Sequence, residues 1–242
     1  MAEPPRPAFY ALARGGWRDY ATLLHLPYTA WHLSFVAIGA ALAPAFSGGR
    51  LAAALVAFFL AVGVAAHALD ELQGSPLGTG IARPMLWALA AVSLAGAVAI
   101  GIVGLRVVGP SLGLFIAAGA FVVLAYNLEW FGGAFHSDTW FALAWGAFPV
   151  LCGYWAMEAA LAPEAVLAAA FAFALSRAQR ELSTSVRRLR RRAESVGGEI
   201  AWRDGSRLAI TRDGLIAVDE RALAWLAAAS VLLACGLVAL RL

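Results

Sequence analysis

The sequence predicts an all-α, polytopic transmembrane bundle of about seven spans, interrupted by a small cytoplasmic insertion. Three observations predict it. Of 242 residues, 62% are hydrophobic and only 14% charged, and mean hydropathy is +0.77; soluble domains are about half apolar and a quarter charged. Apolar runs recur at 28–46, 51–69, 85–105, 110–126, 140–157, 162–177 and 222–240, near the roughly 20 residues that cross a hydrocarbon core of about 30 Å. None of these runs alternates with the two-residue period of a barrel strand.

Residues 1–26 are mixed, arginine-bearing and rich in proline. They lack the short apolar core and cleavage site of a secretory signal. Ala8 to Leu24 suit an amphipathic interfacial helix, with Phe9, Tyr10, Leu12, Trp17, Tyr20 and Leu23 among Arg14, Arg18 and Asp19. A six-helix membrane core follows over 27–180, its spans paired into three hairpins by short outer turns. The insertion at 181–221 holds a cytoplasmic basic helix, then a β-hairpin. "EIAW" and "RLAIT" flank an Asp-Gly turn, and "LIAV" suits a third strand. Residues 222–242 supply the last span.

Charge sets the topology. Arg6, Arg14 and Arg18 precede the first span, and the arginines from 177 to 221 precede the last. Six intervening spans put both groups on one side, and arginine-rich segments stay in the cytoplasm. The N-terminus is therefore expected inside an inner (plasma) membrane and the C-terminus outside. The run "SVRRLRRRAES" carries much of the net charge of +3; beside a span it faces anionic lipid rather than nucleic acid. The chain has no lysine, which excludes a retinal Schiff base. Cys152 and Cys235 lie in apolar runs, as small core residues.

The groups capable of chemistry gather at the predicted inner ends of spans two, four and six. In "VAAHALDELQGSPLGTGIARPML", His67, Asp70 and Glu71 stand at i, i+3 and i+4, on one helical face. An ionisable group within a span costs about 2.5–3.5 kcal/mol on insertion scales, so it faces a cavity or a partner. The trio suits a divalent cation held by Asp70 and Glu71, a metal-bound diphosphate, or proton transfer. "GSPLGTG" then ends the helix and frees backbone amides.

The second inner loop carries Tyr126, Asn127, Glu129, Trp130, His136 and Asp138. Asn127 and Glu129, two apart, share no helical face, so a helix ends there, and Asp138 suits the cap of span five in "SDTW". After span six, Arg177, Arg180, Thr184 and Arg187 or Arg188 form a polar stripe. Arg177 and Arg180, nearest the span, are placed to clamp phosphate oxygens; Arg187 to Arg192 suit a membrane anchor. His25 and His32, near the start of span one, suit satisfied buried imidazoles; if Pro27 begins the helix, His32 faces the inner half of the bundle and also suits a place at the cavity.

Three stretches resemble the UbiA-type intramembrane prenyltransferases: "LPYTAWHLSFVAIGAALAP", "HALDELQGSPLGTGI" and "YNLEWFGG…FALAWGAFPVLCGY". The likeness covers roughly residues 25 to 180. His67 and Asp70 occupy an i, i+3 pair comparable to the family's first aspartate-rich motif. "SPLGTG" is similar to the stretch that follows that motif, and Tyr126 to the tyrosine that ends span four. Where the family has a second aspartate-rich motif this chain has "SRAQRELS", and where members have nine spans it has seven runs. The resemblance implies Mg2+, an isoprenyl diphosphate, and a lipid or aromatic acceptor. By this route Asp70, Glu71 and His67 are expected to be catalytic, and Tyr126, Asn127, Glu129, Arg177 and Arg180 to bind substrate.

Read without the resemblance, the same residues leave two further functions open. One is non-catalytic binding of a lipid or quinone, or a structural role, on the same fold. The other is a metal-dependent hydrolase using His67, Asp70, Glu129 and His136. No charged residue lies near the middle of a span, which argues against a transporter.

Overall fold

The computed structural model describes residues 7–242, so Arg6 lies outside the described residues. Of the described residues 74% are helical, and they include one two-stranded sheet. Helix α1 (Trp17–Leu23) leads into α2 (Leu26–Leu42), whose first turn holds Pro27, where proline's missing N–H is no loss. Ser47 opens α3 (Gly48–Leu72) by accepting from the Arg50 N–H. Helices α4 (Arg83–Val108) and α5 (Leu112–Asn127) follow, then α6 (Asp138–Glu158) and α7 (Pro163–Arg192). The Thr211 hydroxyl caps α8 (Arg212–Ala239), accepting from Gly214 N at 3.0 Å. Strands β1 (Glu199–Ala201) and β2 (Arg207–Ala209) pair antiparallel between α7 and α8, with Ile200 opposite Leu208.

Among the described residues four helices, α3, α4, α6 and α8, are long and apolar enough to cross a membrane. The other three expected spans fall on shorter or more polar helices. Helices α2 and α5 have 17 and 16 residues, and α7 is apolar in its first half but carries Arg177, Arg180 and Glu181 beyond it.

Three local expectations are corrected. Of the helix expected over Ala8 to Leu24 only Trp17–Leu23 forms; Asp19 in it turns inward and accepts from the amides of Gly15 and Gly80. "LIAV" is no strand: residues 215–218 form the second turn of α8, and Ile216 packs with Val186 and Leu223. Asp138 does not cap α6; the Ser137 hydroxyl accepts from Trp140 N at 3.2 Å instead.

The core has two parts. In the first, α2 runs against α6 and α8, burying Trp31, Phe35, Val150 and Tyr154. Glycine makes this approach possible: a methyl group at Gly39 would overlap the Val150 carbonyl, and one at Gly153 the Val36 carbonyl. Such small-residue crossings let helix backbones touch where apolar burial gives little drive. The second part joins α3, α4 and α5 around Leu69, Leu86, Val123 and Tyr126. Here two helices widen into π-helical turns, Phe59–Ala66 in α3 and Ala142–Ala147 in α6. Such segments often mark functional sites, since the extra residue re-aims side chains and frees carbonyls.

Candidate functional site

A cavity of about 380 Å³ opens between the start of α2, the ends of α3 and α5, the start of α6 and the second half of α7. The four histidines of the chain, His25, His32, His67 and His136, all line it. Three of them are set by backbone carbonyls. His32 Nδ1 lies 2.8 Å from the Trp145 carbonyl and His67 Nδ1 3.1 Å from that of Gly63. Both carbonyls belong to the π-helical turns. His136 Nδ1 lies 3.0 Å from the Tyr126 carbonyl.

His25 precedes α2 in the left-handed region (φ 46°). A non-glycine residue there costs of order 1–3 kcal/mol, and surrounding contacts must hold it. Two contacts hold it: the ring stacks on His67 at 4.0 Å between centroids, and its Nδ1 accepts from the Tyr10 hydroxyl at 3.1 Å. Burial, then the neighbouring His67, hold His25 well below the usual imidazole range, so the ring is neutral. Burial likewise pushes the Tyr10 phenol up, leaving it a proton donor.

The α7 wall is cationic. Arg180, Arg187 and Arg191 stand at i, i+7 and i+11 and line the cavity together. Arg180 pairs with Asp138 at 2.7 Å and lies 4.9 Å above the Phe141 ring. Arg187 donates to Thr184 Oγ1 at 2.9 Å. Among the described residues neither Arg187 nor Arg191 pairs with a carboxylate. Burial, then repulsion from Arg180 and Arg191, lower the Arg187 pKa. An anion would relieve that repulsion.

The expected site residues divide. His67, Asp70, Tyr126, Asn127 and Arg180 line the cavity together, with the Asn127 amide donating to the Val123 carbonyl at 2.7 Å. Glu71 does not join them. Although only 2% exposed, it turns toward the following loop, where its carboxylate accepts from Leu77 N (3.0 Å), Thr79 N (2.6 Å) and Thr79 Oγ1 (3.0 Å). Glu129 is largely exposed outside the cavity, 4.0 Å from His136 Nδ1, because the chain leaves α5 through left-handed residues at 129 and 131. Arg177 also lies outside the lining. Residues not expected at the site also line it: Tyr10, placed in an interfacial helix, Arg187 and Arg191, placed in the membrane anchor, and Tyr28 and Gln179. The spacing of Arg180, Arg187 and Arg191 was the available signal for the two arginines.

Magnesium held by Asp70 and Glu71 does not fit this arrangement. Both Glu71 oxygens already hold the loop, leaving Asp70 without the second carboxylate a hard cation needs. Among the described residues, no three His, Cys, Asp or Glu side chains gather to hold a metal. The same findings leave the metal-dependent hydrolase without a ligand set. The chain matches no family model, no curated protein and no solved structure.

Proposed function

We propose that the protein is a divergent UbiA-like membrane prenyltransferase that takes an isoprenyl diphosphate in this cavity and passes the prenyl group to a lipid or aromatic acceptor. On this reading the chain crosses an inner (plasma) membrane seven times, with the N-terminus and the cavity mouth on the cytoplasmic side and the C-terminus outside. The observation that carries it is the pair Arg187 and Arg191, which line a polar cavity beside Arg180 without a carboxylate of their own. Guanidinium groups bind phosphate oxygens bidentately and stabilise charge that grows on a leaving group. The prenyl C–O bond breaks with its electron pair on the diphosphate, and the acceptor forms the new bond. Asp70, a cavity carboxylate that forms no ion pair among the described residues, takes the acceptor's proton. Glu220, which also lines the cavity, is engaged by Arg190 at 2.8 Å.

One observation favours a second reading, a non-catalytic holder of an isoprenoid lipid or quinone: Glu71 is committed to the loop rather than to the cavity. Labelled geranylgeranyl diphosphate, offered to the full chain in zwitterionic nanodiscs, separates the two. Replacing Arg187 and Arg191 together by glutamine is expected to weaken binding at least about tenfold, the scale of one lost charge-assisted contact. Diphosphate release on adding pooled membrane lipids supports the enzyme, and its loss in Asp70→Asn with binding kept supports the proton role. Binding without release leaves the holder. Equal binding by wild type and the double variant overturns both.

A further inference from the structure

One wall of the cavity is built of hydrogen-bond acceptors. A carbonyl oxygen can only accept, so the Nδ1 atoms of His32, His67 and His136 carry the hydrogens in their bonds to Trp145, Gly63 and Tyr126. In the neutral ring the other nitrogen, Nε2, then holds a lone pair. No hydrogen bond within the described residues engages Nε2 of these three rings. Beside them Gln179, only 5% exposed, keeps its Oε1 buried without a partner, although its side chain lines the cavity. A buried acceptor left without a donor costs about 1–3 kcal/mol. The Gln179 oxygen is such a group, and the three imidazole nitrogens without a partner belong to rings that line the same cavity, so a ligand that brings donors would satisfy them together.

The arginines that share α7 with Gln179 limit which donors fit. Arg180, Arg187 and Arg191 line the same cavity of about 380 Å³, so an ammonium group would meet three guanidiniums at short range. A neutral hydroxyl supplies a hydrogen without adding charge. Tyr28, Tyr126, Phe141 and Trp145 around it are rings against which the carbon skeleton of an alcohol can lie.

We infer that His32, His67 and Gln179 form a hydroxyl-recognition subsite, so that the cavity takes a ligand bearing an alcohol group next to an anionic phosphate. The hydroxylated phosphate is either a soluble polyol phosphate or the headgroup of a phospholipid. The inference rests on the anion-binding reading above for the exclusion of an amine; the acceptor wall stands on the hydrogen bonds alone.

Two matched probe pairs and one spectrum test it, using the full chain in zwitterionic nanodiscs. Glycerol phosphate and propyl phosphate share charge and size and differ in hydroxyls. Phosphatidylglycerol and phosphatidylmethanol do the same for a lipid. The hydroxylated member of at least one pair is expected to bind about tenfold tighter, the discrimination typical of one satisfied buried acceptor. Which pair responds tells soluble ligand from headgroup. His67→Leu should erase the preference and His67→Gln, which keeps an acceptor, should restore part of it. Arg187→Gln should weaken both members of a pair alike. Nitrogen-15 spectra of the histidines at pH 7.5 should show Nδ1 protonated and Nε2 bare at His32 and His67. Equal binding within both pairs overturns the subsite and leaves the anion reading intact. Binding of no phosphate at all overturns the anion reading, and a protonated Nε2 at either ring then overturns the subsite independently.

Discussion

At the end of the bundle where α6 gives way to α7, polar groups find one another. Glu158 accepts from the Ala45 amide, Arg50 donates to the Met157 carbonyl at 2.9 Å, and Arg241 donates to the carbonyls of Ala43 and Pro44. Tyr154 donates to Glu164 at 2.7 Å. At the cavity end, Arg187, Arg191, Gln179 and three imidazole nitrogens keep capacity to spare. Backbone packing follows the same division. The paired end grows out of the glycine-mediated crossing of α2 and α6, whereas the cavity end is flanked by two π-helical turns. Close helix contact fills space and leaves side chains no room to diverge. Widened turns push rings and carbonyls inward, and the space between them stays open. The difference separates an end closed by packing from an end that keeps an open cavity with unpaired polar groups.

The contrast can be broken most severely at the crossing. Gly153→Ile drives a branched side chain into the Val36 carbonyl and must separate α2 from α6. A loss of about 3 kcal/mol or more is expected, read as failure to recover a monodisperse peak or as a collapsed melting transition in detergent. A wild-type melting curve would refute the close approach.

A smaller effect is expected from Glu71→Ala. It strands the amides of Leu77 and Thr79 and the Thr79 hydroxyl, at about 1–3 kcal/mol for a buried unsatisfied donor. Hydrogen exchange should rise across residues 75–80 while the α2–α6 crossing stays protected. If exchange there is unchanged, Glu71 is not the loop's anchor and is again available to the cavity.

The smallest effect is a pH dependence at His25. Its folded pKa lies below the ordinary 6.5, so as pH falls the unfolded chain takes up the proton before the folded one. The stability His25 contributes is therefore complete above about pH 6.5 and is lost below it. Melting temperatures measured from pH 7.5 to 5.0 should fall with pH, and His25→Phe should make that fall shallower. An unchanged slope would show that the stack on His67 does not exclude the proton.

Much of this was legible in the sequence where a single helix carries the information. The apolar runs locate the long helices, and the i, i+3 spacing puts His67 and Asp70 on one face, as found. The same spacing fails at Glu71, one residue later, because the fate of a carboxylate at a helix end depends on which amides the next loop brings back. The "SDTW" signal named the wrong cap for a related reason: Ser137 was near enough to do it, and Arg180, 42 residues away, claimed Asp138. The basic run looked like an anchor because sequence cannot tell which face of an arginine-rich helix turns toward other helices.

Composition and periodicity alone determined that this chain is helical and oily, with its polar groups at helix ends, because hydrophobic burial and backbone satisfaction in an apolar setting leave few alternatives. Only the tertiary structure decided that four histidines from three separate segments meet around one space, and that the second nitrogens of His32, His67 and His136 are left without a partner. Those outcomes depend on carbonyls freed by widened turns and on contacts between residues as far apart as His32 and Trp145, which no local pattern encodes.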